Sequence, residues 1–150
     1  YGYYCGDLTR TYPANGSFTE RQRALYDPVL EPHDKVAEAI RPGVTIFDLR
    51  KIAYGVFQDS PLRDGNGERL GQYFIHGLGH HLGLDAHDPG SDHAPLEPGN
   101  VITNEPGLYI PDEALGIRLE DDHLVTADGQ ENLSADLPIR ADDVLEMMRG

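Results

Sequence analysis

The sequence predicts an α+β fold with antiparallel strand pairing. Apolar positions at helical spacing fall before residue 60, strand-like runs fall after residue 100, and an Asp128-Gly129 pair marks a hairpin turn between the last strands. The 150 residues, 39% of them apolar, suffice for one domain or part of one.

Residues 1–12 (YGYYCGDLTRTY) alternate and are rich in Tyr and Thr, which reads as a strand with Tyr3, Cys5, Asp7, Thr9 and Thr11 on one face. Pro13 to Gly16 is a turn. Thr19 and Gln22 have the form of a capping box, so a helix starts there and runs through Leu25, Leu30, Val36 and Ile40. Pro28 and Pro32 each cost about 3 kcal/mol inside a regular helix, which predicts a kink or two short helices. Pro42-Gly43 stops that segment. Thr45 caps a second amphipathic helix carrying Ile46, Leu49, Ile52, Ala53 and Val56. Residues 59–71 form a polar loop. Its Asp64-x-Asn66-x-Glu68 run faintly resembles a calcium loop, but Arg69 stands where the glycine belongs and the closing Glu is missing. Residues 73–88 hold Gly77, Gly79 and Gly83, too many for a helix interior. Strands are expected at 100–104, 107–110 and 117–126, and a short helix at 141–149.

Charge and composition narrow the function. Twelve basic residues against 26 acidic ones leave a net charge of −14, which repels phosphate backbones and anionic lipid and so argues against nucleic acid and membrane surfaces as partners. No stretch approaches the roughly 20 apolar residues of a membrane span. Cys5 is the sole cysteine, so no intrachain disulfide forms, and with no leader visible a cytoplasmic location is the expectation. The chain opens at Tyr1 inside strand-like sequence, which reads as part of a longer domain.

Five of the seven histidines (His76, His80, His81, His87, His93) lie between positions 76 and 93. Five carboxylates crowd between Asp112 and Asp122 against one Arg118. A divalent-metal site needs ligands that are deprotonated at neutral pH and come from rigid elements. Asp7, His80, Glu105 and Glu120 are the candidates. Three carboxylates and one imidazole make an oxygen-rich set that suits Mn²⁺ better than a structural zinc site. Taken singly, each has an ordinary reading as a solvated carboxylate or a satisfied histidine.

Four motifs change that weighing when taken together. They are Tyr4-Cys-Gly-Asp7-Leu-Thr-Arg-Thr11 with Pro13 and Gly16, His76-Gly-Leu-Gly-His80 through His87-Asp88, Glu97-Pro-Gly99 followed by Thr103-Asn-Glu105-Pro-Gly-Leu-Tyr109, and Gly116-Ile-Arg118-Leu-Glu120-Asp121. In this order the sequence resembles the pita-bread (M24-type) metallopeptidases, in the branch of the Xaa-Pro aminopeptidases and Xaa-Pro dipeptidases. The resemblance implies the C-terminal portion of that fold, a curved and largely antiparallel sheet with helices on its outer face, with residues 1–150 as one partial catalytic domain.

It further implies roles. Asp7 and Glu120 resemble the carboxylates that bridge two ions, and His80 the lone histidine ligand. Glu105 resembles both a ligand and the base that takes a proton from the attacking water. His76 and His87 resemble the histidines that hold substrate and steady the tetrahedral intermediate, and Arg118 an arginine beside the site. His76, four residues upstream of His80, favours the proline-directed branch over the methionine aminopeptidases. The implied activity is release of an N-terminal residue from a peptide with proline in second position, with Mn²⁺ as the expected metal and Co²⁺ or Zn²⁺ as alternatives. The full-length form is expected to be a homo-oligomer. The family's first metal aspartate falls before Tyr1, so this polypeptide is expected to bind at most one ion well and to be weak or inactive alone. An Xaa-Pro dipeptidase and a non-catalytic pita-bread binding protein remain the alternatives.

Overall fold

The computed structural model describes residues 2–149. Helix α1 (Glu20–Ala39) opens on the expected box: the Gln22 N–H donates to Thr19 Oγ1 at 3.2 Å and the Thr19 N–H donates to Gln22 Oε1 at 2.9 Å. The expected break at its prolines does not occur, and α1 runs unbroken through Pro28 and Pro32. Leu25, Tyr26, Val29, Leu30 and Val36 are all buried in the core. At about 1.5–3 kcal/mol each, that burial outweighs two prolines at about 3 kcal/mol each. Gly43, at φ +89°, turns the chain into α2 (Ile46–Asp59), which Thr45 caps through the Asp48 N–H.

Residues 2–12 do not make the expected strand. Tyr3 sits at φ 67°, which breaks the extended run at its start, and among the described residues the segment's one β-bridge joins Thr9 and Glu120. The alternation nevertheless survives, because Thr9 and Thr11 both turn toward the 118–120 segment.

Five strands follow the irregular histidine segment: β1 (Val101–Asn104), β2 (Gly107–Ile110), β3 (Leu115–Arg118), β4 (Asp121–Val125) and β5 (Gln130–Asn132). All pairings among them are antiparallel, in a three-stranded sheet ordered β1-β4-β5 and a two-stranded ribbon β2-β3. The single strand expected at 117–126 is therefore two, broken at Leu119-Glu120 so that β3 returns to β2 and β4 crosses to β1. Helix α1 packs on α2, β1, β3 and β5, and the closing helix α3 (Ala141–Arg149) packs on α1. Among the described residues no helix is long and apolar enough to cross a membrane.

Candidate metal centre

The break at Glu120 creates the site. A residue that leaves one sheet before joining the next can face a neighbouring segment. Glu120, 1% exposed, pairs its backbone with Thr9, and its Oε2 accepts a hydrogen bond from Thr9 Oγ1 at 2.5 Å. Thr9 Oγ1 in turn accepts from Arg118 Nε at 3.0 Å, and that nitrogen lies 3.9 Å from Glu120 Oε2. Arg118 is anchored at its backbone by Thr11 Oγ1, 2.9 Å from its carbonyl oxygen.

Asp7 arrives on the same extended segment. Its backbone N–H donates to the buried Asp122 Oδ2 at 3.1 Å. His80 comes from the glycine-rich segment laid against β1. Thr103 N–H donates to the His80 carbonyl, and the His80 N–H donates to Thr103 Oγ1, both at 3.0 Å. Gly79 allows this approach, since a Cβ there would run into Thr103. The His80 Nδ1–H donates to the His81 carbonyl at 3.0 Å, which leaves the Nε2 lone pair facing the cleft. That Nε2 lies 3.6 Å from Asp7 Oδ2 and 3.5 Å from Glu105 Oε1.

Glu105 follows β1, where its N–H donates to the Leu78 carbonyl at 2.8 Å. Burial, and then the neighbouring Glu120, push its carboxyl up to about 7. Ligand atoms of His80, Glu105 and Glu120 lie within 4.8 Å of one another, and so do those of Asp7, His80 and His87. The His87 ring stacks on His80 at 3.8 Å between centroids.

These groups line a cleft of about 580 Å³ together with His76, Arg118 and Asp92. His76 donates from Nδ1 to the Gly77 carbonyl at 2.6 Å and accepts at Nε2 from the Tyr109 hydroxyl at 3.0 Å. Burial holds its ring below the ordinary histidine range, so it is neutral at pH 7.

All seven residues singled out in the sequence thus reach one cleft. Reasoning from sequence gave no role to Tyr109, Thr9 or Thr103, although each stands inside a quoted motif. For Thr9 and Thr103 the signal was placement: a hydroxyl two residues from a candidate ligand on an extended segment shares its face. The donor set fits a divalent cation. Three carboxylates gather around one imidazole nitrogen, and Glu105 is pushed up first by burial and then by Glu120 beside it.

A carboxylate-rich cleft set between antiparallel sheets defines the class. Over 99% of its length the chain superposes on proline aminopeptidase P II from Yersinia pestis with a TM-score of 0.88 at 38% identity, covering 39% of that chain. The zinc-substituted Escherichia coli aminopeptidase P in complex with product gives 0.86 at 36% identity, with 98% and 38% covered. The fold is therefore the pita-bread architecture that the motifs implied, represented by the portion these residues match.

Residues 1–127 match the model of metallopeptidase family M24, and the chain belongs to that family. Among its relatives, the Xaa-Pro aminopeptidase of E. coli strain K12 is 40% identical over 167 residues, with 97% of this chain and 38% of the relative covered. Xaa-Pro aminopeptidase 1 of Streptomyces coelicolor is also 40% identical, over 171 residues, with 97% and 35% covered. The chain spans little more than a third of the length of the relatives it matches.

Proposed function

We propose that residues 1–150 form part of the catalytic domain of an Xaa-Pro aminopeptidase, which releases the N-terminal residue of a peptide whose second residue is proline. The observation that carries this reading is the meeting of Asp7, His80, Glu105 and Glu120 around one cleft, in a chain 40% identical to enzymes bearing that name.

Asp7, His80, Glu105 and Glu120 are the residues that would hold the ion, and their oxygen-rich character favours Mn²⁺. A divalent cation there supplies the positive charge that polarises a carbonyl and acidifies water. Every other function falls to the chain itself. Glu105 takes the proton of the attacking water and returns it to the departing proline nitrogen. His87, against the His80 ring, donates to the oxyanion that develops on the scissile carbonyl. His76 is held by Gly77 and Tyr109 at the same cleft and orients the substrate. Arg118 reaches Glu120 through Thr9 and fixes that carboxylate.

The test is Glu105→Gln in the full-length protein, assayed on an Xaa-Pro peptide with Mn²⁺ content measured in parallel. Loss of about 10²–10⁴ in kcat is expected at Mn²⁺ concentrations high enough to bring the variant to the parent's metal content. Turnover within tenfold of the parent would remove Glu105 as the base.

A further inference from the structure

On the other face of β4 from the cleft lies a second cluster. Asp121 and His123 are two residues apart on the strand and so share a face, and α1 lays His33 against them. All three are buried, with exposures of 2%, 0% and 3% respectively. One ligand atom from each lies within 4.8 Å of the others.

Two features of these imidazoles point to a cation. First, both Nδ1 atoms face acceptors: His123 Nδ1 lies 2.7 Å from Gln130 Oε1, and His33 Nδ1 lies 3.5 Å from Asp34 Oδ1. An acceptor at Nδ1 fixes the proton there and leaves Nε2 as a lone pair, the arrangement that metal-ligating histidines show. Second, the Nε2 of each ring is buried with no hydrogen-bond partner among the described residues. His33 Nε2 stands 3.2 Å from Asp121 Oδ2, an ion-pair contact when the ring is protonated, whereas His123 Nε2 has neither kind of partner among the described residues. Two donors sharing a tetrahedral ion at bond lengths of about 2.0–2.2 Å stand roughly 3.3–3.5 Å apart, each aimed at the ion rather than at the other.

Asp121 is built to serve as the carboxylate of such a set. Arg10 occupies its Oδ1 at 2.5 Å, and Asn132 Nδ2 steadies Oδ2 at 2.9 Å. Asp34, 46% exposed, stands at the edge of the cluster beside His33 Nδ1.

We propose that His33, Asp121 and His123 form a second metal site, structural in kind, for a divalent transition-metal ion of the zinc class. Two imidazoles and one carboxylate are donors of that class. The ion would tie α1 to β4, the strand that follows Glu120, and would enter as the chain folds because the cluster is closed to solvent.

Full-length protein from zinc-supplemented cells, dialysed exhaustively against EDTA, should keep one slowly exchanging zinc per chain by elemental analysis. His33→Leu and His123→Leu, which keep apolar bulk in the core, should each keep none, while calorimetric Mn²⁺ binding at the cleft stays at the parent level. Zinc absent from the dialysed parent, or retained in both variants, overturns the proposal. Should the variants fail to fold, the zinc-edge absorption spectrum of the parent decides. A first shell of nitrogen and oxygen with imidazole scattering supports the site, and a sulfur-containing shell refutes it. A proton shared between His33 and Asp121 in place of a metal would appear as the first of these failures.

Discussion

Gly79→Ala tests how the cleft is assembled. A Cβ at position 79 would lie 2.8 Å from the carbonyl carbon and 2.9 Å from Oγ1 of Thr103, and nearer still to its carbonyl oxygen, where ordinary contact begins at 3.4 Å. The obstacle is backbone, so no rotamer relieves it, and the histidine segment must move off β1 by about 1 Å or more. The bonds broken are those that hold His80: Thr103 N–H to the His80 carbonyl, and the His80 N–H to Thr103 Oγ1. Two hydrogen bonds at about 0.5–1.5 kcal/mol each and overpacking of about 1–3 kcal/mol together give a loss of roughly 2–6 kcal/mol. Because His80 moves with the segment, its 3.5 Å spacing to Glu105 opens as well, and a misplacement approaching 1 Å costs about 10²-fold in rate. Urea unfolding and Mn²⁺ calorimetry on the full-length variant measure both effects. Gly55→Ala is the control: an added Cβ there meets nothing within 4 Å, and α2 should gain about 0.5–1 kcal/mol. A Gly79→Ala protein as stable as its parent, with unchanged Mn²⁺ affinity, would refute the close approach of the two segments and the placement of His80 that follows from it.

Other outcomes follow from the same geometry. Thr9→Val removes the hydroxyl between Arg118 and Glu120, and Mn²⁺ affinity should fall about 10–100-fold, with Thr9→Ser restoring it; calorimetry on both variants checks this. Chelator should abolish hydrolysis of an Xaa-Pro peptide and Mn²⁺ should restore it, whereas chelator-resistant turnover would point to another chemistry. Tyr26 sits buried in the core with its hydroxyl donating to the Ile139 carbonyl at 2.9 Å, and burial pushes its pKa up to about 12. A raised pKa means that the folded state keeps its proton longer. Its contribution, on the order of 2 kcal/mol, is therefore complete below pH 10 and lost between pH 10 and 12. Urea midpoints for Tyr26→Phe should be lower than the parent's at pH 8 and flatter across that alkaline window.

Local chemistry was legible wherever a single residue decides the conformation. Thr19 with Gln22, Thr45 and Gly43 set the helix ends, and the structure keeps each of them. What could not be read locally was decided by tertiary contacts. Pro28 and Pro32 argue for a break as sequence, yet α1 stays whole because its buried face is worth more than two missing hydrogen bonds. Residues 4–12 alternate as a strand does, yet their backbone follows no single strand: Cys5 bonds to Gly83, Asp7 to the Asp122 side chain and Thr9 to Glu120.

The interruption between β3 and β4 was the least legible element, and it matters most for the cleft. Nothing in Ile-Arg-Leu-Glu-Asp-Asp distinguishes one strand from two, because each residue type tolerates extended backbone. A single continuous strand would keep the same neighbour on each edge along its length. The break frees the N–H and the carbonyl of Glu120 to pair with Thr9 instead. That pairing draws the segment bearing Asp7 to the mouth of the cleft, and Asp122 then grips the Asp7 N–H from the far side of the break. The ligand types were visible as a pattern of carboxylates around one histidine, but their convergence depends on a backbone exchange between residues more than a hundred positions apart. No local signal carries such an exchange; the motifs carried it here because they record residues that already meet.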